Sequence, residues 1–455
     1  MIRDEGFRIG FFGDIRREQA GTALFERVVE TGSLVLRQVG GGRAGEMSAH
    51  RFLDSPHVTH EEILATAGNR TASACVGRRI VAAQDTTEIN FSGRSRARRG
   101  LGPAGDGKSP GFFCHAMVAV DVESEAVLGV VHAEIWTRPT EQPTAIGPRK
   151  IEDKESYRWI EGTTVAGQRL DEAVQLIVVG DRESDIYSQF VRRPPSVDLI
   201  VRAAQDRRLD NDDYLFAAPR DWRELGTMDI KVPPHRPGEG ARVARVGVKA
   251  GEVCIAKPRN SPDPTDPATV TLTYVEVHEV DPPKGCAPIV WRLLTTLPVC
   301  GAADEFAAAQ DIVRLYRLRW RIEQVFRSMK SDGLRLEETQ VQEASRLFKL
   351  TAIALTAAVR TIQLVDARDG SSRPASDVAD QDLVTAAEAI GPTLEGKTPR
   401  QKNPHPPRSL AWLSWIAARL GGWNCYYGKP GPKTMRAGLN KLEAMAAGYA
   451  IAKAG

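Results

Sequence analysis

The chain has 455 residues, 61 of them Lys or Arg and 58 Asp or Glu, for a formal charge of +3. That length allows a sizeable core and two or three domains, and the near balance of charge excludes a globally basic nucleic-acid binder, so any contact with DNA would fall to local patches. Six cysteines, at 75, 114, 254, 286, 300 and 425, show neither a CxxC pair nor a zinc spacing and read as reduced thiols of a cytoplasmic protein.

The first residues, MIRDEGFRIG, carry charges where a signal peptide needs its apolar run. Residues 1–75 read as a helical domain: Ala23 to Val39 is periodic, Gly40 to Gly45 interrupts it, and His50 to Leu53 and Glu61 to Ala67 are short helices. RRIVAAQD, residues 78–85, is a short apolar run with β-branched members, and the alternating TTEINFSG continues it. Beyond a Gly/Pro-rich loop at 100–111, FFCHAMVAVD and AVLGVVHAEIW read as paired strands, followed by a polar stretch at 141–160 that includes DKESYRW. QLIVVGD, 175–181, patterns as a fully buried strand, and SDIYSQFVRR behind it as a helix with Ser184 or Asp185 near its N-cap. Strand followed by helix points to an α/β core. Residues 203–290 form a β-rich insertion with PPHRPGEG and KPRNSPDPTDP loops, after which helical pattern dominates at 305–332, 342–366 and 409–419. The most apolar stretch, Leu350 to Val359, is closed by Lys349 and Arg360, so no membrane span is expected. Residues 367–408 read as a linker with a short helix near 381–390. The expected organisation is a helical region at 1–75, a core at 76–366 and a linker with a helical C-terminal region at 367–455.

The chemistry concentrates in YRLRWRIEQVFRSMK. Tyr316, Arg319, Glu323 and Lys330 stand at steps of three, four and seven, which on a continuous helix places them within an arc of roughly 40 to 60°. Leu318, Ile322, Val325, Phe326 and Met329 occupy a neighbouring arc suited to a core, and Arg314, Arg317 and Arg321 fall on the remaining, solvated face. Alone, this is a surface helix stitched by Arg319/Glu323 and Glu323/Arg327 pairs. Asp85 and Asp181 each end an apolar run, and each alone is a turn or cap residue. At the C-terminal ends of neighbouring strands, however, two aspartates converge on one edge of a sheet, and with Glu323 they make a set of hard oxygen ligands for Mg²⁺ or Mn²⁺. Basic patches at Arg16-Arg17, Arg78-Arg79, Arg94 to Arg99 and Arg202 to Arg208 add to the case for metal-dependent phosphoryl transfer on nucleic acid.

These residues resemble the DDE transposases of bacterial cut-and-paste insertion sequences, in the insertion-sequence-four branch marked by a Tyr-Arg-Glu-Lys signature, here Tyr316, Arg319, Glu323 and Lys330. The likeness extends over GDIRR, HRFLDSPHVTHEEIL, QDTTEINFSG, the GLG to CHAMVAV stretch, DKESYRW, VVGDRESDIY, DPPKG with WRLLTTLPV, and GGWNCYYGKPGP, nearly the whole chain. It implies an α/β fold: an RNase H-like mixed-sheet catalytic core with a β-rich insertion, plus helical N-terminal and C-terminal regions. It also implies that Asp85, Asp181 and Glu323 hold two Mg²⁺ ions, with Mn²⁺ substituting. The chemistry implied is nicking at the element end, hairpin formation, hairpin opening and strand transfer into target DNA, within a homodimer that bridges two double-stranded DNA ends.

On the same resemblance Trp291 is the aromatic platform for a flipped base, where the residue alone reads equally as a core tryptophan at a strand start. Tyr316, Arg319 and Lys330 grip the adjacent phosphate. Arg16 and Arg17 match a basic pair of the end-recognition domain, or are solvated helix charge; Ala20 departs from the family, whose members carry a further basic residue there. Arg202 matches a basic residue beyond the second acid, or is a strand-edge arginine. His115, beside Cys114 and Met117, is either a donor near the first acid or, as a lone histidine more often is, a satisfied core residue. The apolar SLAWLSWIAARLGGW is either the family's protein-contact helix or packs on its own core. Two other functions share parts of this pattern: an RNase H-like nuclease would have the three acids without Trp291, and a DNA-end-binding protein would hold ends without cutting them.

Overall fold

Apolar runs and caps set the elements. The computed structural model describes residues 7–91, 98–105, 107, 109–140, 150–232, 242–259, 261, 263, 265–283, 285–330, 333–371, 373–379 and 381–454, so four of the arginine-patch positions at 94–97 lie outside the described residues. In chain order the elements are α1 (Ile15–Thr31), α2 (Leu36–Val39), α3 (Arg43–Asp54), α4 (His60–Cys75), β1 (Arg79–Asn90), β2 (Gly102–Ala104), β3 (Ser109–Asp121), β4 (Val127–Trp136), α5 (Tyr157–Arg169), β5 (Gln175–Gly180), α6 (Tyr187–Arg192) and β6 (Val197–Arg202). They continue as β7 (Gly226–Val232), β8 (Arg242–Ala256), β9 (Thr269–Glu279), β10 (Val290–Thr295), α7 (Glu305–Arg317), α8 (Trp320–Lys330), α9 (Ala344–Ala367), α10 (Gln381–Leu394), α11 (Leu410–Leu420) and α12 (Pro432–Ala454).

The chain divides into two compact units. The first holds Met1–Arg78, Thr86–Gln142 and Arg321–Gly455; the second holds Arg79–Asp85 and Pro143–Trp320. In the first, Asp14 caps α1 by accepting from the Arg16 N–H and Thr59 caps α4 by accepting from the Glu62 N–H, each satisfying a donor that the first helical turn leaves open. Strands β3 and β4 pair antiparallel from Phe113↔Trp136 to Val120↔Val127, and the last residues of β1 adjoin β3, where the Phe91 N–H donates to the Pro110 carbonyl. Helices α4 and α9 cover β4. α9 is long and apolar enough to cross a membrane, yet 78% of its most apolar window is buried inside the protein, as in a core helix.

The C-terminal helices finish this core. α11 is buried almost throughout, from Leu410 to Leu420, against α9, α10 and α12. Of the two readings of this apolar helix, packing on its own core is therefore what the fold shows. The short helix expected near 381–390 is α10, four residues longer than expected, and α12 has no counterpart among the expected helices. A Cβ on Gly438 would stand 1.5 Å from the Ala417 carbonyl oxygen of α11, so this glycine serves close helix packing.

The second unit is built on a sheet in the order β1-β5-β6-β10-β9-β8-β7. β1, β5 and β6 are parallel, and β6-β10-β9-β8-β7 are joined antiparallel. The parallel strands are apolar on both faces, as strands covered on both sides must be: Ile80 to Ala83 and Ile177 to Val179 are each fully buried. The strands of the 203–290 region extend this same sheet, and α7 packs against β6 and β8.

Two local readings need correction. Asp181, not Ser184 or Asp185, is the capping side chain after β5: it accepts from the Glu183 N–H at 2.8 Å to start the short turn Arg182–Ser184, and α6 begins only at Tyr187. The run from Tyr316 to Lys330 is likewise not one helix. The N–H groups of Leu318 and Arg319 bond three residues back, to Leu315 and Tyr316, so α7 ends in a tightened turn and α8 starts afresh at Trp320. Tyr316 therefore closes α7, Arg319 sits in the joint, and Glu323 and Lys330 belong to α8. The single polar stripe assumed 100° per residue through a segment that turns by about 120° per residue.

Candidate active site

In the second unit, β1 and β5 are in register at Ala83↔Val179. Asp85 and Asp181 each lie two residues further on, so they share a level, and the period-two alternation of extended chain puts both carboxylates on the same side of the strand ends. Asp181 keeps an extended backbone, with φ −85° and ψ −160°. The turn behind it is closed tightly: a Cβ on Gly180 would stand 2.4 Å from Cβ and Oγ of Ser184, so only glycine lets Ser184 tuck under the strand end. Beneath Asp85, the buried Gln84 amide donates to the Trp159 carbonyl at 3.5 Å, tying the strand end to α5.

The joint at Leu318-Arg319 delivers Arg319 to this edge. Its Nη1 lies 2.9 Å from Asp85 Oδ2, and both side chains are more than four-fifths buried. The residue read from the sequence as a phosphate ligand thus balances the charge of a residue read as a metal ligand. Trp291, on β10, meets Tyr316, at the end of α7, edge to face, with ring centroids 5.7 Å apart and planes at 63°. Tyr316 is buried and Trp291 half-buried, so the tyrosine braces an indole that keeps part of its surface open.

Arg202 ends β6, and its guanidinium donates to the Val290 carbonyl at 3.3 Å. The patch it heads is largely neutralised: Arg207 is buried on Asp185, with Nε to Oδ1 at 2.9 Å, and Arg208 pairs with Asp212. Asp185 is a residue whose role the sequence concealed. Its other oxygen accepts from the Ala204 and Gln205 N–H groups at 2.8 and 3.1 Å, pinning the segment that follows β6. Arg79 is similarly engaged, by Gln175 at 2.7 Å and Asp311 at 2.6 Å.

The first unit carries Glu323 and Lys330 on α8, whose Ile322, Val325, Phe326 and Met329 are buried. Lys330 donates to the Glu88 carbonyl and faces the Glu337 carboxylate at 3.3 Å. Arg321, expected on a solvated face, instead pairs with Asp366 at 2.9 Å. At α1, Arg16 is exposed, whereas Arg17 donates to the Phe12 carbonyl. Arg78 faces Asp121 at 3.5 Å. His115 is buried with its Nδ1 2.9 Å from the Thr86 hydroxyl, a satisfied core histidine. Burial pushes the Cys75 and Cys114 thiols up to about 12, which makes both poor nucleophiles.

Among the described residues no three His, Cys, Asp or Glu side chains gather as a metal-holding group. The level pair Asp85 and Asp181 nevertheless has the hard, anionic oxygens that Mg²⁺ and Mn²⁺ take, and it stands where parallel strands end, which is where α/β sheets carry their sites. A family model described as a transposase DDE domain matches residues 266–360, a segment that holds Trp291, Tyr316, Arg319, Glu323 and Lys330 and neither aspartate. With the mixed α/β architecture, which is compatible with an RNase H-like core, that match supports a DDE transposase, an enzyme acting on DNA.

Proposed function

We propose that this chain is a cut-and-paste DNA transposase of the insertion-sequence-four kind, with Asp85, Asp181 and Glu323 as its acidic triad. The observation that supports it most is the level placement of Asp85 and Asp181 on adjacent parallel strand ends, in a chain whose 266–360 segment matches a transposase DDE domain. The three carboxylates would hold Mg²⁺, or Mn²⁺ in its place, and the bound cations would supply Lewis-acid stabilisation of the charge that develops around phosphorus.

The protein's own side chains then position DNA. Trp291, braced by Tyr316, offers its open indole to a base displaced from the duplex, a contact worth about 1–3 kcal/mol. Arg319 and Lys330 grip the neighbouring phosphate, Arg319 exchanging Asp85 for the DNA and Lys330 exchanging Glu337. Arg202 and the exposed Arg16, with Arg17 beside it, add backbone contacts along the element end. Nicking, hairpin formation, hairpin opening and strand transfer into target DNA are all in-line displacements at phosphorus, so one site serves each. A homodimer on paired double-stranded ends would place each site against the other protomer's DNA.

The test is a supercoiled plasmid carrying the element's ends, incubated with the protein and Mg²⁺. Excised fragments with hairpin ends support the proposal. Random nicks indicate an RNase H-like nuclease, and a band shift without cleavage indicates a DNA-end-binding protein. Glu323→Ala cleaving as well as the parent would remove it from the triad.

A further inference from the structure

We propose that Asp366 is a positioning residue: by gripping Arg321 it sets the roll of α8 and with it the direction of Glu323. The proposal rests on the reading of Glu323 as the third acid. Asp366 stands at the C-terminal end of α9, with its side chain 6% exposed. Its Oδ1 accepts from Arg321 Nη1 at 2.9 Å and its Oδ2 from the Val127 N–H at 3.0 Å. The Arg321 guanidinium also donates to Gln324 Oε1 at 3.1 Å. Val127 is held from its other side as well, since its carbonyl accepts from Arg373 at 3.2 Å, and Arg373 is fixed by Asp377 at 2.7 Å. One buried carboxylate thus ties α8, α9 and the start of β4 together.

Several features make this an unfavourable place for a carboxylate unless it has a job. It is buried, where ionised groups are costly, and it lies in the last turn of a helix, where the dipole disfavours negative charge. Burial pushes the Asp366 carboxyl up, against the pull of Arg321, the Val127 N–H, Arg368 and Arg373. Buried ion pairs seldom add net stability over apolar groups of the same volume, so stability alone does not account for it.

Geometry does. Arg321 and Glu323 are two residues apart, about 200° around the helix, so holding Arg321 inward aims Glu323 to the opposite side. The stripe Ile322, Val325, Phe326 and Met329 keeps α8 on the core, but apolar contact is non-directional and tolerates some roll. A charge-assisted Arg–carboxylate bond is directional and does not. A ligand displaced by about 1 Å costs on the order of 10²-fold in rate.

The experiment compares the full-length parent with Asp366→Asn and with the double variant Arg321→Met/Asp366→Leu, which replaces the pair by apolar groups and leaves no charge stranded. Folding is read by thermal denaturation, end-DNA binding without metal by band shift, metal binding by Mn²⁺ titration followed by electron paramagnetic resonance, and cleavage at saturating DNA. The double variant is expected to melt somewhat below the parent, because Leu leaves the Val127 N–H without its acceptor, but to be fully folded at the assay temperature and to bind DNA like the parent, to bind Mn²⁺ about 5–10-fold more weakly, and to cleave about 30–100-fold more slowly, with Asp366→Asn between the two. Parent-like Mn²⁺ binding and cleavage in the double variant overturns the proposal. So does a loss in both variants that merely follows the folded fraction, since that is a structural role only. Glu323→Gln, run alongside, separates the two readings: if it cleaves like the parent, the triad assignment fails whatever Asp366 does.

Discussion

The strand ends that carry Asp85 and Asp181 and the jointed segment from α7 to α8 hold their side chains in place by different means. At the strand ends the backbone ladder does the work: the pairing Ala83↔Val179 fixes both carboxylates at one level before any side-chain contact is made. In the jointed segment little is fixed by the ladder. A tightened turn at Leu318-Arg319 breaks the helix, Arg319 is placed by its bond to Asp85, and Tyr316 by its ring against Trp291. The two carboxylates proposed as metal ligands thus rest on backbone pairing, while the groups proposed to meet DNA rest on side-chain contacts.

The largest effect should come from the strand ends. Asp181→Ala is expected to reduce cleavage by about 10³-fold or more while costing only about 1 kcal/mol of stability through its lost cap, to be checked by plasmid cleavage beside a denaturation curve. Cleavage within tenfold of the parent would break the comparison. Among the groups held by side-chain contacts, Trp291→Ala should slow hairpin formation by about 10–100-fold, the equivalent of one lost stacking contact, while leaving the first nick near the parental rate. Trp291→Phe should recover part of it; equal slowing of both steps, seen on a sequencing gel, would mean that the indole is structural.

Arg319→Ala sharpens the contrast further. It removes the Nη1 bond to Asp85, so the protein should lose about 1–3 kcal/mol in metal-free buffer, and saturating Mg²⁺ should recover much of that loss by neutralising Asp85 in its place. A destabilisation indifferent to Mg²⁺ in a thermal-shift assay would argue against Asp85 as a ligand. Smallest of all, Asp304→Ala removes the cap of α7, whose side chain accepts from the Ala307 N–H at 2.9 Å. It should cost about 1 kcal/mol by urea denaturation, with cleavage reduced less than by Trp291→Ala.

How much of this was legible in the sequence follows from the same physics. Ile80 to Ala83 and Ile177 to Val179 announce buried parallel strands because such strands are apolar at every position, and Asp85 and Asp181 stand out where those runs stop. The joint at Leu318-Arg319 carries no Gly or Pro and left no mark in the pattern. Arg321 looked solvated because its partner, Asp366, lies forty-five residues away. Asp185 looked like a cap for want of any sign that Arg207 would come to meet it. Basic patches were overread for a similar reason: Arg79 and Arg207 are each balanced by an acid that only the fold brings near, and Arg208 by Asp212 four residues along the chain.

The level register of β1 and β5 also dictates which changes of chain length the second unit can absorb. Side chains alternate along a strand, so one residue inserted or deleted between Ala83 and Asp85 does not shift the carboxylate by a fraction of its reach; it turns the carboxylate to the opposite side of the sheet. Spacing there is a matter of parity. Two residues can be counted or miscounted, with no intermediate.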